Sequence, residues 1–107
     1  MPRSNQTKRL LAQSLMDLMT TIPLEKISVN DIVDHAGVGR NTFYYHFQDV
    51  YDLLSYIFRE QADMMLREYA GGEDWKDFFL NILTYLNENR KMIENVYYSI
   101  HQEELET

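Results

Sequence analysis

The sequence predicts an all-α protein, and three observations carry that reading. Apolar residues recur at three- and four-residue spacing in segment after segment, strand-like alternation is lacking, and both prolines fall at or before Pro23. A length of 107 residues with 45% hydrophobic content suits one domain, or one small domain and part of another.

From Thr7 to Thr20, Leu11, Leu15, Leu18 and Met19 form one stripe of a first helix, which "TTIP" ends at Thr21 to Pro23. Ser28 followed by Asp31 reads as a capping box, so a second helix is expected from about Val29 to Ala36, with Ile32, Val33 and Ala36 inward. Gly37 stands where a left-handed C-terminal cap is expected, because glycine lacks the side-chain penalty there. Arg40 to Phe47 makes a third helix with Phe43 and Phe47 one turn apart on its buried side.

Asp49 can cap a longer fourth helix from about Val50 to Tyr69, striped by Leu53, Leu54, Ile57, Phe58 and Met65 and broken by Gly71-Gly72. Trp75, Phe78, Phe79, Ile82, Leu83 and Leu86 then repeat the helical period, as do Ile93, Val96, Tyr97 and Ile100 after "NENR". About six helices are expected, with residues 1–48 forming one unit and 49–107 the start of another.

Charge separates the two units. The net charge is -7, yet residues 1–48 carry five Lys/Arg against four acids, whereas 49–107 carry five against thirteen. Such a balance argues against indiscriminate nucleic-acid binding, which rests on positive charge meeting phosphate, and leaves room for a local contact patch. Cysteine is absent, which excludes disulfides and thiolate chemistry and fits a reducing, cytoplasmic setting. No apolar run has the length of a signal peptide or a membrane span, so no membrane partner is expected.

The segment "NDIVDHAGVGRNTFYYHF" raises the functional question. A short helix, a three-residue glycine turn and a second short helix match a helix-turn-helix, whose second helix enters the DNA major groove. Helix hairpins of this shape also occur without DNA, so the side chains must decide. With Phe43 and Phe47 committed to the core, the outward arc carries Arg40, Asn41, Thr42, Tyr44, Tyr45 and His46. Arg can grip guanine or phosphate, Asn can pair with adenine, Thr can pack on a thymine methyl, and Tyr and His can bond phosphate oxygens. Taken singly, each has an ordinary surface or packing explanation; the joint pattern carries the inference.

The string "VNDIVDHAGVGRNTFYYHFQDVYDLL", with Leu11 to Met19 before it, resembles the DNA-binding region of the tetracycline-repressor (TetR) family of bacterial regulators. The resemblance implies a dimeric, ligand-responsive transcriptional regulator, a repressor by default, with a three-helix DNA-binding domain, a long linking helix and a helical effector and dimerisation domain. It implies that Ser28 meets phosphate, that Arg40, Asn41, Thr42 and Tyr44 face bases or the groove wall, and that Tyr45 and His46 hold the backbone. Gly39 departs from a frequent Ser or Thr, and Val50 from a common phosphate-gripping lysine, which lowers the expected salt slope by about 0.9 and shifts weight onto backbone amides, Lys8 and Arg3. Members are usually longer, so the second unit is expected to be truncated and the usual dimer-forming helices missing. The run "YDLLSYIF" resembles regulators of dihydroxyacetone utilisation within the family, which implies that some members activate.

An effector pocket between the fourth, fifth and sixth helices can be lined by Phe58, Met65, Phe79 and Tyr97, with Trp75, Phe78, Tyr85, Tyr98 and Met64 nearby, although aromatics at helical spacing read first as core. The partners implied are a palindromic double-stranded operator, a small-molecule effector and a second copy of the chain. Enzymatic chemistry finds no footing: His35, His46 and His101 lie on separate helices without metal-ligand spacing, and Gly37 and Gly39 follow a helix rather than a strand. No cofactor is expected. The alternative to a DNA-binding regulator is a helical protein-interaction module, favoured by the acidic surface and Val50 and disfavoured by the outward arc.

Overall fold

The computed structural model describes residues 2–69 and 74–106, with side chains described for 4–67 and 74–101. Its order is α1 (Pro2–Leu18), a 3-10 turn (Leu24–Lys26), α2 (Val29–Ala36), α3 (Arg40–His46), α4 (Val50–Tyr69), α5 (Trp75–Glu88) and α6 (Arg90–Glu106). The described residues contain no strand, as the periodicity required. Helix α1 begins five residues before its expected start, at a proline that the first turn tolerates because its missing N–H is not needed there. Arg3 and the Gly71-Gly72 break lie outside the residues whose side chains or backbone are described.

The first four helices close one core. Leu11, Leu15, Ile32, Phe43 and Leu53 are fully buried, and Met19, Leu24, Val33, Phe47 and Ile57 nearly so. Phe47 leaves the helical conformation one residue earlier than expected, at φ -137° and ψ 148°, while its N–H still bonds the Phe43 carbonyl at 2.9 Å. Its ring thereby turns inward before α4 begins.

One buried polar bond ties the layers together. The Ser14 hydroxyl on α1 donates to the Ile32 carbonyl on α2 at 2.8 Å, so its burial leaves no unsatisfied group. At the open end of these helices, Asp17 meets His35 at 3.4 Å.

Helices α5 and α6 are different. No α5 residue is buried; Trp75 is 62% and Phe79 54% exposed, and Leu80, Leu83 and Leu86 are exposed as well. The α5 stripe is periodic, but it packs on α4 along one side and on α6 at the junction, and nothing among the described residues covers its remaining face. Phe58 on α4 is also exposed, so the α4 stripe is buried only through Ile57. Helix α6 returns to the first unit through Met92, which joins the core, and Asn95, which reaches the connection between α1 and α2.

Candidate nucleic-acid interface

The geometry of the α2–α3 corner is set locally. Ser28 is extended and its hydroxyl accepts from the Asp31 N–H at 3.1 Å, while the Ser28 N–H donates to the Asp31 carboxylate at 2.9 Å. This reciprocal cap leaves the exposed Ser28 hydroxyl hydrogen free to donate. At the other end Gly37 takes φ 77° and ψ 30°. The Gly37 and Val38 N–H groups both bond the Val33 carbonyl, at 2.8 and 3.0 Å, closing α2 and turning the chain. Val38 packs on the core beyond the turn.

Gly39 caps α3 without a side-chain bond, as its lack of a side chain requires; its carbonyl takes the Thr42 N–H at 3.1 Å, which leaves the Arg40 and Asn41 amides available to an anion. Phe43 is fully buried and Phe47 5% exposed, which fixes the rotation of the helix. Arg40, Asn41, Tyr44 and Tyr45 therefore face solvent, with Thr42 and His46 half-buried at the flanks. Tyr45 is 82% exposed, so packing does not account for its ring. The Arg40 guanidinium lies 5.7 Å from the Tyr44 ring centre, and the Tyr45 and His46 rings meet edge-on at 5.0 Å. These contacts narrow the rotamers of four of the six outward residues, which reduces the ordering cost of binding.

Lys8 on α1 is half-buried, with its ammonium 5.9 Å from the Tyr56 ring centre, and Tyr56 in turn packs 5.4 Å from Phe47. The basic end of Lys8 is thus held beside the core end of α3. Burial is the main cause that pushes the Tyr56 hydroxyl's pKa up, with Glu60 adding to it and Arg9 opposing it. Arg9 was not singled out by sequence reasoning; its influence on Tyr56 depends on an α1–α4 crossing that no local pattern reports. Val50 is half-buried against the core, so the position that lacks a lysine serves packing instead.

The arrangement offers a narrow convex face with one guanidinium, one amide, hydroxyls and free helix amides, a chemistry suited to base edges and phosphates in a groove. Residues 14–57 match the family profile described as bacterial regulatory proteins of the tetR family. The chain is 32% identical over 97 residues to the dhaKLM operon transcriptional activator DhaS of Lactococcus lactis subsp. lactis (strain IL1403), covering 91% of this chain and 52% of the relative. The chain belongs to the tetR family.

The fold agrees at the level of coordinates. A solved structure of the dihydroxyacetone kinase operon activator DhaS superposes with a TM-score of 0.77 at 32% identity, over 86% of this chain and 52% of that one. A Clostridium perfringens regulator, at 18% identity and a TM-score of 0.64, covers 83% of this chain and 53% of its own and shares the fold. An HTH-type transcriptional regulator of Staphylococcus aureus (strain USA300) is 33% identical over 51 residues, 48% of this chain and 28% of that protein. The chain spans about half the length of the DhaS relatives it matches. These relatives are named regulators of transcription, in line with the reading that the tetR-family chain is not an enzyme.

The expected effector-pocket residues do not share a described cavity. Phe58 on α4, Phe79 on α5 and Tyr97 on α6 are exposed and Met65 is half-buried. Clefts of about 390, 490 and 220 Å³ among the described residues lie where α1 and its following turn meet α4, α5 and α6, and these are not lined by those four residues. No group of three or more His, Asp or Glu among the described residues is placed to hold a metal, and no helix among them is long and apolar enough to cross a membrane.

Proposed function

We propose that this tetR-family chain is the operator-binding part of a transcriptional regulator that binds DNA sequence-specifically through α3. One observation carries the reading: α3 is locked by Phe43 and Phe47 so that Arg40, Asn41, Thr42, Tyr44, Tyr45 and His46 face outward together. In a groove, Arg40, Asn41, Thr42 and Tyr44 read or line base edges, while Ser28, Tyr45, His46 and Lys8 hold phosphates. Such a regulator acts in the cytoplasm of a bacterium, where its DNA lies. It works as a dimer on a roughly palindromic operator, with half-sites about 34 Å or more apart. A small molecule bound in the second unit shifts the spacing of the two recognition helices and lowers operator affinity.

The sign of regulation has two candidates. Repression is the family default, whereas the similarity to DhaS, an activator by name, over 91% of this chain supports activation. A reporter carrying the selected operator separates them: deletion of the gene raises expression for a repressor and lowers it for an activator.

Selection of duplexes from a random pool, followed by binding measurements, tests the interface. Thr42→Ala and Tyr44→Ala each reduce affinity for the selected site by about 10- to 100-fold, as expected for loss of a base contact worth about 1–3 kcal/mol, with helicity unchanged. Gel shifts from both variants equal to those of the unsubstituted protein would remove α3 as the reading helix. No enrichment from the pool at low salt would favour the protein-interaction module.

A further inference from the structure

The connection between α1 and α2 is completed by a residue from the far end of the chain. After α1 ends at Leu18, the Met19 and Ile22 carbonyls and the Leu24 N–H must find partners outside the helix ladder. The Asn95 side chain supplies all three. Its amide nitrogen donates to the Ile22 carbonyl at 2.8 Å and the Met19 carbonyl at 3.1 Å, and its oxygen accepts from the Leu24 N–H at 2.7 Å. The partners dictate the amide's orientation, since two acceptors and one donor are met by the NH₂ and the carbonyl respectively. Neither Asp nor Leu can make the same set.

Position on α6 makes this contact directional. Met92, Asn95, Val96 and Ser99 share one helical face. Met92 and Ser99 are buried, and Val96 packs on the core. The segment that Asn95 holds continues through buried Leu24 and Ile27 into Ser28, the cap of α2, and α2 is joined to α3 by the Gly37 turn. We infer that Asn95 is a positioning residue: it seats the helix-turn-helix from the second unit, so that residues 1–48 do not set the orientation of α3 alone. A displacement of α6 by any cause therefore unseats the connection. The 390 Å³ cleft beside Asn95, with Thr21 and Glu25 on one wall and Lys91 and Tyr98 on the other, is where such a displacement opens.

The consequence for DNA rests on the operator-binding reading above, whereas the consequence for the connection does not, so two measurements are needed. In the full chain, Asn95→Ala and Asn95→Asp are compared with Asn89→Ala, which removes a 2.9 Å bond to the Tyr85 carbonyl at the α5–α6 junction but no bond to the α1–α2 connection. Amide hydrogen exchange at residues 19–24 speeds up about tenfold or more in both Asn95 variants and not in Asn89→Ala, while exchange at Phe43 stays slow. Affinity for the selected operator falls about fivefold or more in the Asn95 variants, and affinity for random duplex stays level. Unchanged exchange at residues 19–24 overturns the inference, as does an equal loss of operator affinity in Asn89→Ala. Absence of any DNA binding by the unsubstituted chain sinks the operator reading alone, because exchange at residues 19–24 still upholds or overturns the seating by Asn95.

Discussion

Residues 11–57 and the α5–α6 hairpin are built from the same kind of sequence, yet only the first region is closed. Among the described residues, every buried apolar side chain lies between Leu11 and Ile57 except Met92. Helix α5 repeats the period of α1 and α4 with larger side chains, and none of them is buried. The difference teaches that helical periodicity specifies a face and says nothing of what covers it. In α1 to α4 each face meets another across short connections; the outer face of α5 meets nothing among the described residues.

The largest effect is expected where closure is complete. Phe43 has no exposed surface and its ring packs 5.9 Å from that of Phe47. Phe43→Ala removes a full aromatic side chain from the centre of α1, α2 and α4, at a cost of about 3–5 kcal/mol. Urea unfolding followed by circular dichroism should place the midpoint far below that of the unsubstituted chain. A loss under about 1 kcal/mol would mean that the first region is as loosely packed as the second.

What was legible in the sequence follows the same division. The Ser28–Asp31 cap, the Gly37 turn and the Phe43–Phe47 pair are relations within four residues of each other, and each can be read from spacing because the helix itself brings them together. The outward arc of α3 was legible by subtraction, once those two phenylalanines had fixed the rotation. Asn95 was not, because its partners lie 71 to 76 residues away and an Asn in "RKMIENVYYSI" looks like any polar residue on an amphipathic helix. The proposed pocket residues Phe58, Met65, Phe79 and Tyr97 show the same limit: spacing placed them on faces, and convergence depends on the packing of helices around them.

An intermediate effect is expected at the boundary between the two regions. The Tyr85 hydroxyl on α5 is buried with no hydrogen-bond partner among the described residues, and burial pushes its pKa up. Tyr85→Phe removes a desolvated polar atom without opening a cavity and should stabilise the chain by about 1 kcal/mol. The pH dependence has a definite sign. Because the folded pKa lies above the unfolded value of about 10, Tyr85 leaves stability level below that pH and erodes it as pH rises toward the folded value. The alkaline fall in melting temperature should therefore be shallower in Tyr85→Phe, with the remainder owed in part to Tyr56, whose pKa burial also raises. An unchanged midpoint and an unchanged alkaline slope would mean that the hydroxyl has found a partner.

The smallest effect is expected on the open face of α5, where the contrast is sharpest. Phe79 is 54% exposed and sits on the same period as Phe78 and Ile82, so sequence alone gives it the rank of a core residue. With its ring more than half exposed, Phe79→Gln changes the stability of this chain by no more than about 0.5 kcal/mol, as for a surface site, against several for Phe43→Ala. Its solubility should rise, because Gln breaks an apolar surface that includes Trp75, Leu83 and Leu86. A loss of about 2 kcal/mol or more in the dilute chain would show that the face is covered in solution. Repeating the melt over a range of protein concentrations then decides the source: a midpoint that falls with dilution assigns the cover to a second copy, since association stabilises by mass action, and a constant midpoint assigns it to the chain itself.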